Sequence, residues 1–179
     1  MTKASLKQHK IIAPVSFGTS GHRGIIGKTF TTDHIQAIAF GISTLFKNQT
    51  TAPTLVIGSD PRKGNDIQTK GSFINRLIQK LNNLGIHTIC FDDFVPTPFI
   101  SWAITHYHYD GGIILTASHN PPEYNGIKFN PKNGAPAPRN ITKIIETEAN
   151  NYLLNPQKTK SSTPGTHTQE TPPYQEFCN

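Results

Sequence analysis

Apolar residues recur along most of the chain in two alternating rhythms. Ile35, Ile38, Ala39, Ile42, Leu45 and Phe46 follow the spacing of one helical face, and Thr32 stands where a cap belongs. Residues 54–58 form a short apolar run between Pro53 and the turn residues Asp60 and Pro61, which predicts a buried strand. Phe73, Leu77, Leu81 and Leu84 make a second helical face that stops at Gly85. A second β-rich run covers 86–91. Thr97 and Pro98 then predict the cap and first turn of a helix through Trp102, Ala103, Ile104 and Tyr107. Residues 112–115 and the shorter run 126–129 predict two further strands. Asn140 caps a last helix that turns Ile141, Ile144, Ile145, Ala149, Tyr152 and Leu153 inward.

Strands separated by helices predict an α/β layered domain with a small, largely parallel sheet. In such sheets ligand-binding loops gather at the carboxyl ends of the strands. That places 59–65, 94–97 and 116–120 along one edge. The pattern divides the chain into an N-terminal extension (1–14), the α/β domain (15–154) and a linker or disordered tail (155–179). The last segment has no Leu, Ile, Val or Met beyond Asn155 and is rich in Thr, Pro, Ser and Gln.

Composition narrows the classes. Hydrophobic residues make up 35%, low but compatible with a folded core, while 14 Gly and 14 Pro predict many loops. No apolar run approaches the ~20 residues that cross a bilayer, and the basic start MTKASLKQHK lacks an apolar stretch after it, which argues against a membrane and a secretory signal. Two cysteines, Cys90 and Cys178, cannot make a disulfide scaffold. A reducing, cytoplasmic setting follows. The net charge of +6 favours anionic partners. The cations are scattered rather than massed, which fits phosphorylated small molecules and argues against nucleic acid.

Candidate chemistry concentrates in residues 115–122, where a strand runs into a loop holding Ser118 beside His119, with Pro121 and Pro122 restricting the turn. A serine hydroxyl needs a base or a strong field to act as a nucleophile. Adjacent side chains on an extended chain point apart, so spacing alone does not pair Ser118 with His119. Lys128, on the following strand, can fold back toward Ser118 after a turn at Asn125-Gly126. The plainer reading is a proline-rich turn with a solvated Ser and His. Other polar positions divide similarly. Arg62 is either a phosphate contact or one half of a surface ion pair. Asp60 suits the turn better than a metal. Ser20 fits loop architecture, and His22 fits loop or site equally. Trp102, Tyr107 and Tyr109 suit the core, and His106 and His108 lack a third metal ligand nearby.

The string Thr116-Ala117-Ser118-His119-Asn120-Pro121-Pro122, followed by Asn125-Gly126-Ile127-Lys128, resembles the active-serine loop of the α-D-phosphohexomutase superfamily. Phe17-Gly18-Thr19-Ser20-Gly21-His22-Arg23-Gly24 resembles its N-terminal signature, and Ser59-Asp60-Pro61-Arg62 a third landmark. The wording looks most like the bacterial phosphoglucomutase branch and extends from about Val15 to Leu154. The resemblance implies a three-layer α/β/α sandwich with a mixed, mostly parallel sheet. It implies that Ser118 is carried as a phosphoserine and exchanges its phosphoryl group with glucose 1-phosphate and glucose 6-phosphate through a bisphosphate. Glucose 1,6-bisphosphate is then the activator. Arg23 and Lys128 match the basic residues beside the phosphoserine, and His119 its hydrogen-bond partner or proton carrier. Arg62, His22 and Ser20 fall among the phosphate-binding positions.

The resemblance also implies absences. The family pattern has four domains, and this chain matches only the first. The aspartate loop that helps hold Mg²⁺, the sugar-recognition loop and the distal phosphate clamp have no counterpart, so of the Mg²⁺ ligands only Ser118, through its phosphate, is present. The expectation is a fragment, a split gene product or a decayed gene, with little or no mutase activity alone; the partners this implies are a phosphosugar and the missing domains on a separate chain. The alternative is a non-catalytic module that binds phosphate or a partner.

Overall fold

The computed structural model describes residues 12–18, 21–156 and 161–178. Among them the pattern resolves into β1 (His22–Ile25), α1 (Thr32–Ser43), β2 (Thr54–Ser59), α2 (Phe73–Asn83), β3 (His87–Phe91), α3 (Thr97–His106), β4 (Gly111–Leu115), β5 (Tyr124–Pro131), α4 (Arg139–Leu154), β6 (His167–Glu170) and α5 (Tyr174–Phe177). No helix among the described residues is long and apolar enough to cross a membrane.

The sheet order is β1-β5-β4-β2-β3-β6. β2 runs parallel to β3 and β4, and β3 parallel to β6, while β5 is antiparallel to both β4 and β1. β2 and β4 are buried on both faces, which explains why they read as unbroken apolar runs. α1, α2 and α4 cover one face, where Ile35, Ile38, Leu77, Leu81 and Ile145 meet Leu55, Ile57, Ile113, Leu115 and Ile127. α3 covers the other, packing Phe99, Ile100, Ala103 and Ile104 on Val56 and Ile114. The result is the expected three-layer α/β/α sandwich. α3 lies over β2 and β4. The sheet continues past it into β5 and β1, and this margin carries the polar chemistry.

Three local differences from the sequence pattern have physical causes. The helix caps are Thr31, Pro96 and Pro138 rather than Thr32, Thr97 and Asn140. Pro96 and Pro138 hold extended backbone (φ −69°, ψ 150° and φ −70°, ψ 165°), which delivers the chain into the first turn without a side-chain cap. Asn125-Gly126 is not a turn but part of β5. The Asn125 side chain is buried because its amide donates to Lys63 O and Asn65 Oδ1, so a residue that usually signals a loop sits inside a strand. β1 takes in His22, which reads as loop or site in the sequence, and is held by its ladder to β5.

The C-terminal segment is the largest difference. In place of a linker or disordered tail, β6 pairs with the outer edge of β3 from Thr88 to Phe91, and α5 folds onto α3. Tyr174 and Phe177 pack against Phe99 at 5.2 and 5.1 Å between ring centres, and Tyr107 Oη donates to Glu176 Oε2 at 2.8 Å. Burial and the Glu176 carboxylate push the Tyr107 phenol up to about 12. Backbone pairing to an open strand edge requires no aliphatic side chain, and two aromatics supply the apolar contact, so an aliphatic count reads this segment as unstructured.

Candidate active site

β4 ends at Leu115 and β5 begins at Tyr124, and the loop between them carries Ser118. Ser118 has φ 58°, a left-handed conformation that disfavours a non-glycine residue by about 1–3 kcal/mol. Local hydrogen bonds hold it there. The Ser118 N–H donates to Thr116 Oγ1 at 2.9 Å, and the Thr116 hydroxyl donates to Asp60 Oδ2 at 2.6 Å. The Asn120 N–H closes a turn on Ala117 O at 3.2 Å. This backbone reversal brings together side chains that an extended chain would separate: Ser118 Oγ and His119 Nδ1 lie 3.0 Å apart. Both residues are exposed.

The loop rests on a nearly buried arginine. Arg62 Nη1 donates to the carbonyls of Pro121 and Tyr124, both at 2.9 Å, and Nη2 to those of Ser118 and Asn120, both at 2.8 Å. Its Nε donates to Asp60 Oδ2 at 3.3 Å. All five guanidinium N–H groups are thus occupied. Arg62 keeps the expected ion pair with Asp60, but its remaining donors all go to backbone carbonyls, which puts it at the centre of the loop rather than on the surface. Asn65, fully buried, donates to Leu115 O, Asp60 O and Asp60 Oδ1, and accepts from Asn125, tying the 59–65 loop to the Ser118 loop.

Two cations lie on the adjoining strands β1 and β5. Arg23 on β1 is paired with Gly126, and Lys128 lies two residues further along β5, so both project on the same sheet face. A Cβ on Gly126 would fall 2.5 Å from Thr116 O and 3.1 Å from Arg23 Cγ, so the missing side chain is what lets Arg23 cross the strand. Arg23 Nη1 donates to Asn120 Oδ1 at 3.2 Å, whereas its Nε is buried without a hydrogen-bond partner. Burial and the charge of Arg23 lower the Lys128 amine below the ordinary lysine range, partly offset by Asp60. Two like charges held close, one with an orphaned donor, form a ready site for an anion.

His22, next to Arg23, points the other way. It is 3% exposed and stacked between Phe30 and His34. Its Nε2–H donates to Thr29 O at 3.1 Å and its Nδ1 accepts from the Ser16 N–H at 3.3 Å. Burial first, and then the neighbouring His34, lower its pKa. This occupied, neutral imidazole belongs to the core, and the expectation that His22 binds phosphate is corrected: one strand cannot turn two consecutive side chains to the same face. Ser20 lies outside the described residues. Trp102, Tyr107 and Tyr109 flank the α3 core. Thr116, Asn65, Asn120 and Asn125 are neighbours of the Ser118 loop to which sequence reasoning gave no role. Thr116, Asn120 and Asn125 stand in the two strings and so carry a signal, whereas Asn65 carries none.

Among the described residues no three His, Cys, Asp or Glu side chains gather into a possible metal site. A phosphorylated Ser118 would be a single oxygen ligand group, and the residues present do not form a closed site for a hard cation.

Residues 14–155 match the profile of phosphoglucomutase/phosphomannomutase α/β/α domain I. A phosphoglucomutase of Komagataeibacter xylinus is 37% identical over 146 residues, covering 78% of this chain and 26% of the relative. A phosphoglucosamine mutase of Clostridium botulinum (strain Loch Maree / Type A3) is 36% identical over 118 residues, covering 66% of this chain and 25% of the relative. The chain therefore spans about a quarter of the length of the curated relatives it matches. A solved phosphoglucomutase/phosphomannomutase family protein from Burkholderia thailandensis superposes with a TM-score of 0.72 over 93% of this chain and 35% of its own. At 22% identity that likeness is one of fold.

Proposed function

Because the chain belongs to the phosphoglucomutase/phosphomannomutase family through its α/β/α domain I, whose named members are mutases, we propose that Ser118 carries the phosphoryl group of an intramolecular phosphotransferase that interconverts glucose 1-phosphate and glucose 6-phosphate. One observation carries this reading. An exposed serine hydroxyl, held in a strained backbone and 3.0 Å from an imidazole nitrogen, lies in the loop whose Asn120 accepts from Arg23, and Arg23 keeps an orphaned Nε and shares a sheet face with Lys128. A phosphate on Oγ offers the acceptor that Arg23 Nε lacks and the charge that relieves Arg23 and Lys128 of each other.

In the transfer a bond forms from phosphorus to a sugar hydroxyl oxygen as the bond to Ser118 Oγ breaks. The hydroxyl proton leaves the sugar, and a proton arrives at Oγ. His119 Nδ1 is within reach to hold or return it, and Lys128, with its lowered pKa, is a second carrier. The return step reverses these moves with the other sugar oxygen. In this reading glucose 1,6-bisphosphate would load the serine. The cavity that Lys128 lines, about 120 Å³, does not include Ser118, and the groove beside the serine loop, about 530 Å³, is lined by Arg62 and Asn120 but by neither Arg23 nor Lys128. A phosphosugar thus needs further walls, of the kind the longer relatives have length to provide, and the chain alone turns over little or nothing. The choice of glucose follows the phosphoglucomutase likeness.

Incubating the chain with glucose 1,6-bisphosphate and a trace of intact mutase, then mapping phosphate by mass spectrometry, tests the reading. The label is expected on Ser118, absent in Ser118→Ala and reduced in Arg23→Ala and Lys128→Ala. A stable label mainly on Ser59 or the threonine-rich C-terminal segment would refute it.

A further inference from the structure

We propose that Arg62 is a positioning residue for phosphoryl transfer, a guanidinium core around which the Ser118 loop is wound and which fixes the direction of the Ser118 hydroxyl without touching the substrate. The inference rests on the phosphoserine reading of Ser118. Four backbone carbonyls, those of Ser118, Asn120, Pro121 and Tyr124, converge on one guanidinium at 2.8–2.9 Å. Converging carbonyl dipoles repel one another, and a planar cation with donors on several edges is what makes the convergence favourable. A lysine ammonium, with three donors at one point, cannot replace that fork.

Arg62 reaches Ser118 from both sides of its peptide unit. It binds the Ser118 carbonyl directly. On the amide side its Nε shares Asp60 Oδ2 with Thr116 Oγ1, which in turn accepts the Ser118 N–H. The left-handed backbone at Ser118 is therefore fixed at its N–H and its C=O by one charged network. That backbone is what brings Oγ to His119. The Arg62 side chain is 13% exposed and has no donor left for a ligand, which separates it from Arg23, whose buried Nε has no hydrogen-bond partner.

The test compares the full chain with Arg62→Lys and Arg62→Ala. Phosphate appearing on Ser118 is followed at a series of glucose 1,6-bisphosphate concentrations, per folded molecule, alongside hydrogen exchange over residues 116–124 and over β2 and β4. In Arg62→Lys the maximal labelling rate is expected to fall by about 100-fold, the loss that misplacing a reactive group by about an ångström brings. The half-saturating concentration stays nearly unchanged, and exchange quickens in the loop but not in the strands. Arg62→Ala behaves likewise wherever it folds. A wild-type rate in Arg62→Lys overturns the proposal, as does a loss matched by the unfolded fraction. A raised half-saturating concentration at an unchanged maximal rate would overturn it in favour of a direct phosphate contact. Wild-type chain that takes no label on Ser118 overturns the phosphoserine reading itself, whereas labelled wild type with an unaffected Arg62→Lys overturns only the positioning role.

Discussion

Two arginines touch the Ser118 loop in opposite states. Arg62 has every donor occupied by backbone carbonyls and Asp60. Arg23 holds one bond to Asn120, lies near a second cation and keeps a buried Nε without an acceptor. The residue type is the same and the polar loop is shared, so the difference lies in what the fold has placed opposite each. A satisfied guanidinium stabilises the chain around it. An unsatisfied one is tolerated in a native structure where something else arrives to complete it. The comparison separates scaffold from site without reference to sequence identity.

The largest effect should come from breaking the satisfied side. Arg62→Ala leaves four carbonyls and the Asp60 carboxylate without their donor and is expected to destabilise the chain by about 3 kcal/mol, read as a shifted urea midpoint at unchanged slope. Arg23→Ala, measured in the same way without phosphate, should stay within about 0.5 kcal/mol of wild type, since it removes an orphaned donor and a like-charge neighbour. Equal losses in the two variants would erase the distinction.

Gly126→Ala comes next. Its Cβ would meet Thr116 O at 2.5 Å and the Arg23 side chain at 3.1 Å. Overpacking against backbone predicts a loss of about 2 kcal/mol. The same variant should weaken labelling of Ser118 because Arg23 is displaced, and labelling that survives a stable Gly126→Ala would detach Arg23 from the site.

The smallest effect near neutrality is acid sensitivity from the core side of β1. His22 and His34 stack 5.2 Å apart, and burial is the first cause lowering both below the ordinary value of 6.5. The unfolded chain therefore binds protons at a pH where the folded chain does not. Their contribution is fully present above about pH 6.5 and is lost as pH falls from there through the lowered folded values. Urea titrations at a series of pH values should show this decline, and His34→Gln should flatten it. A stability rising over the same interval would contradict the buried, neutral assignment.

The sequence made the layers legible because helices and buried strands carry their burial as a period, as in Ile35–Ile38–Ile42 or the run of β2. The proposed reactive set Ser118, His119, Arg23 and Lys128 stands out in two strings rather than in the periodicity. What escaped was set by partners distant in sequence. The part played by Arg62 depends on carbonyls more than fifty residues away, and a carbonyl is invisible in a sequence. Asn65 and Asn125 read as loop residues because their burial depends on each other. His22 and Arg23 are neighbours in one string, yet a strand sends them to opposite faces. β6 and α5 were hidden because edge pairing and two aromatics leave no aliphatic rhythm.

The central claim is that the Arg23–Lys128 pair faces the phosphate of Ser118. The most direct measurement is the titration of the Lys128 amine by NMR, in the unmodified chain and in the chain phosphorylated at Ser118. Unmodified, Lys128 should titrate below the ordinary lysine range, held down by burial and by Arg23. With the phosphate in place its pKa should rise, because a nearby anion favours the charged amine. A Lys128 titration that does not move when Ser118 is phosphorylated would contradict the account.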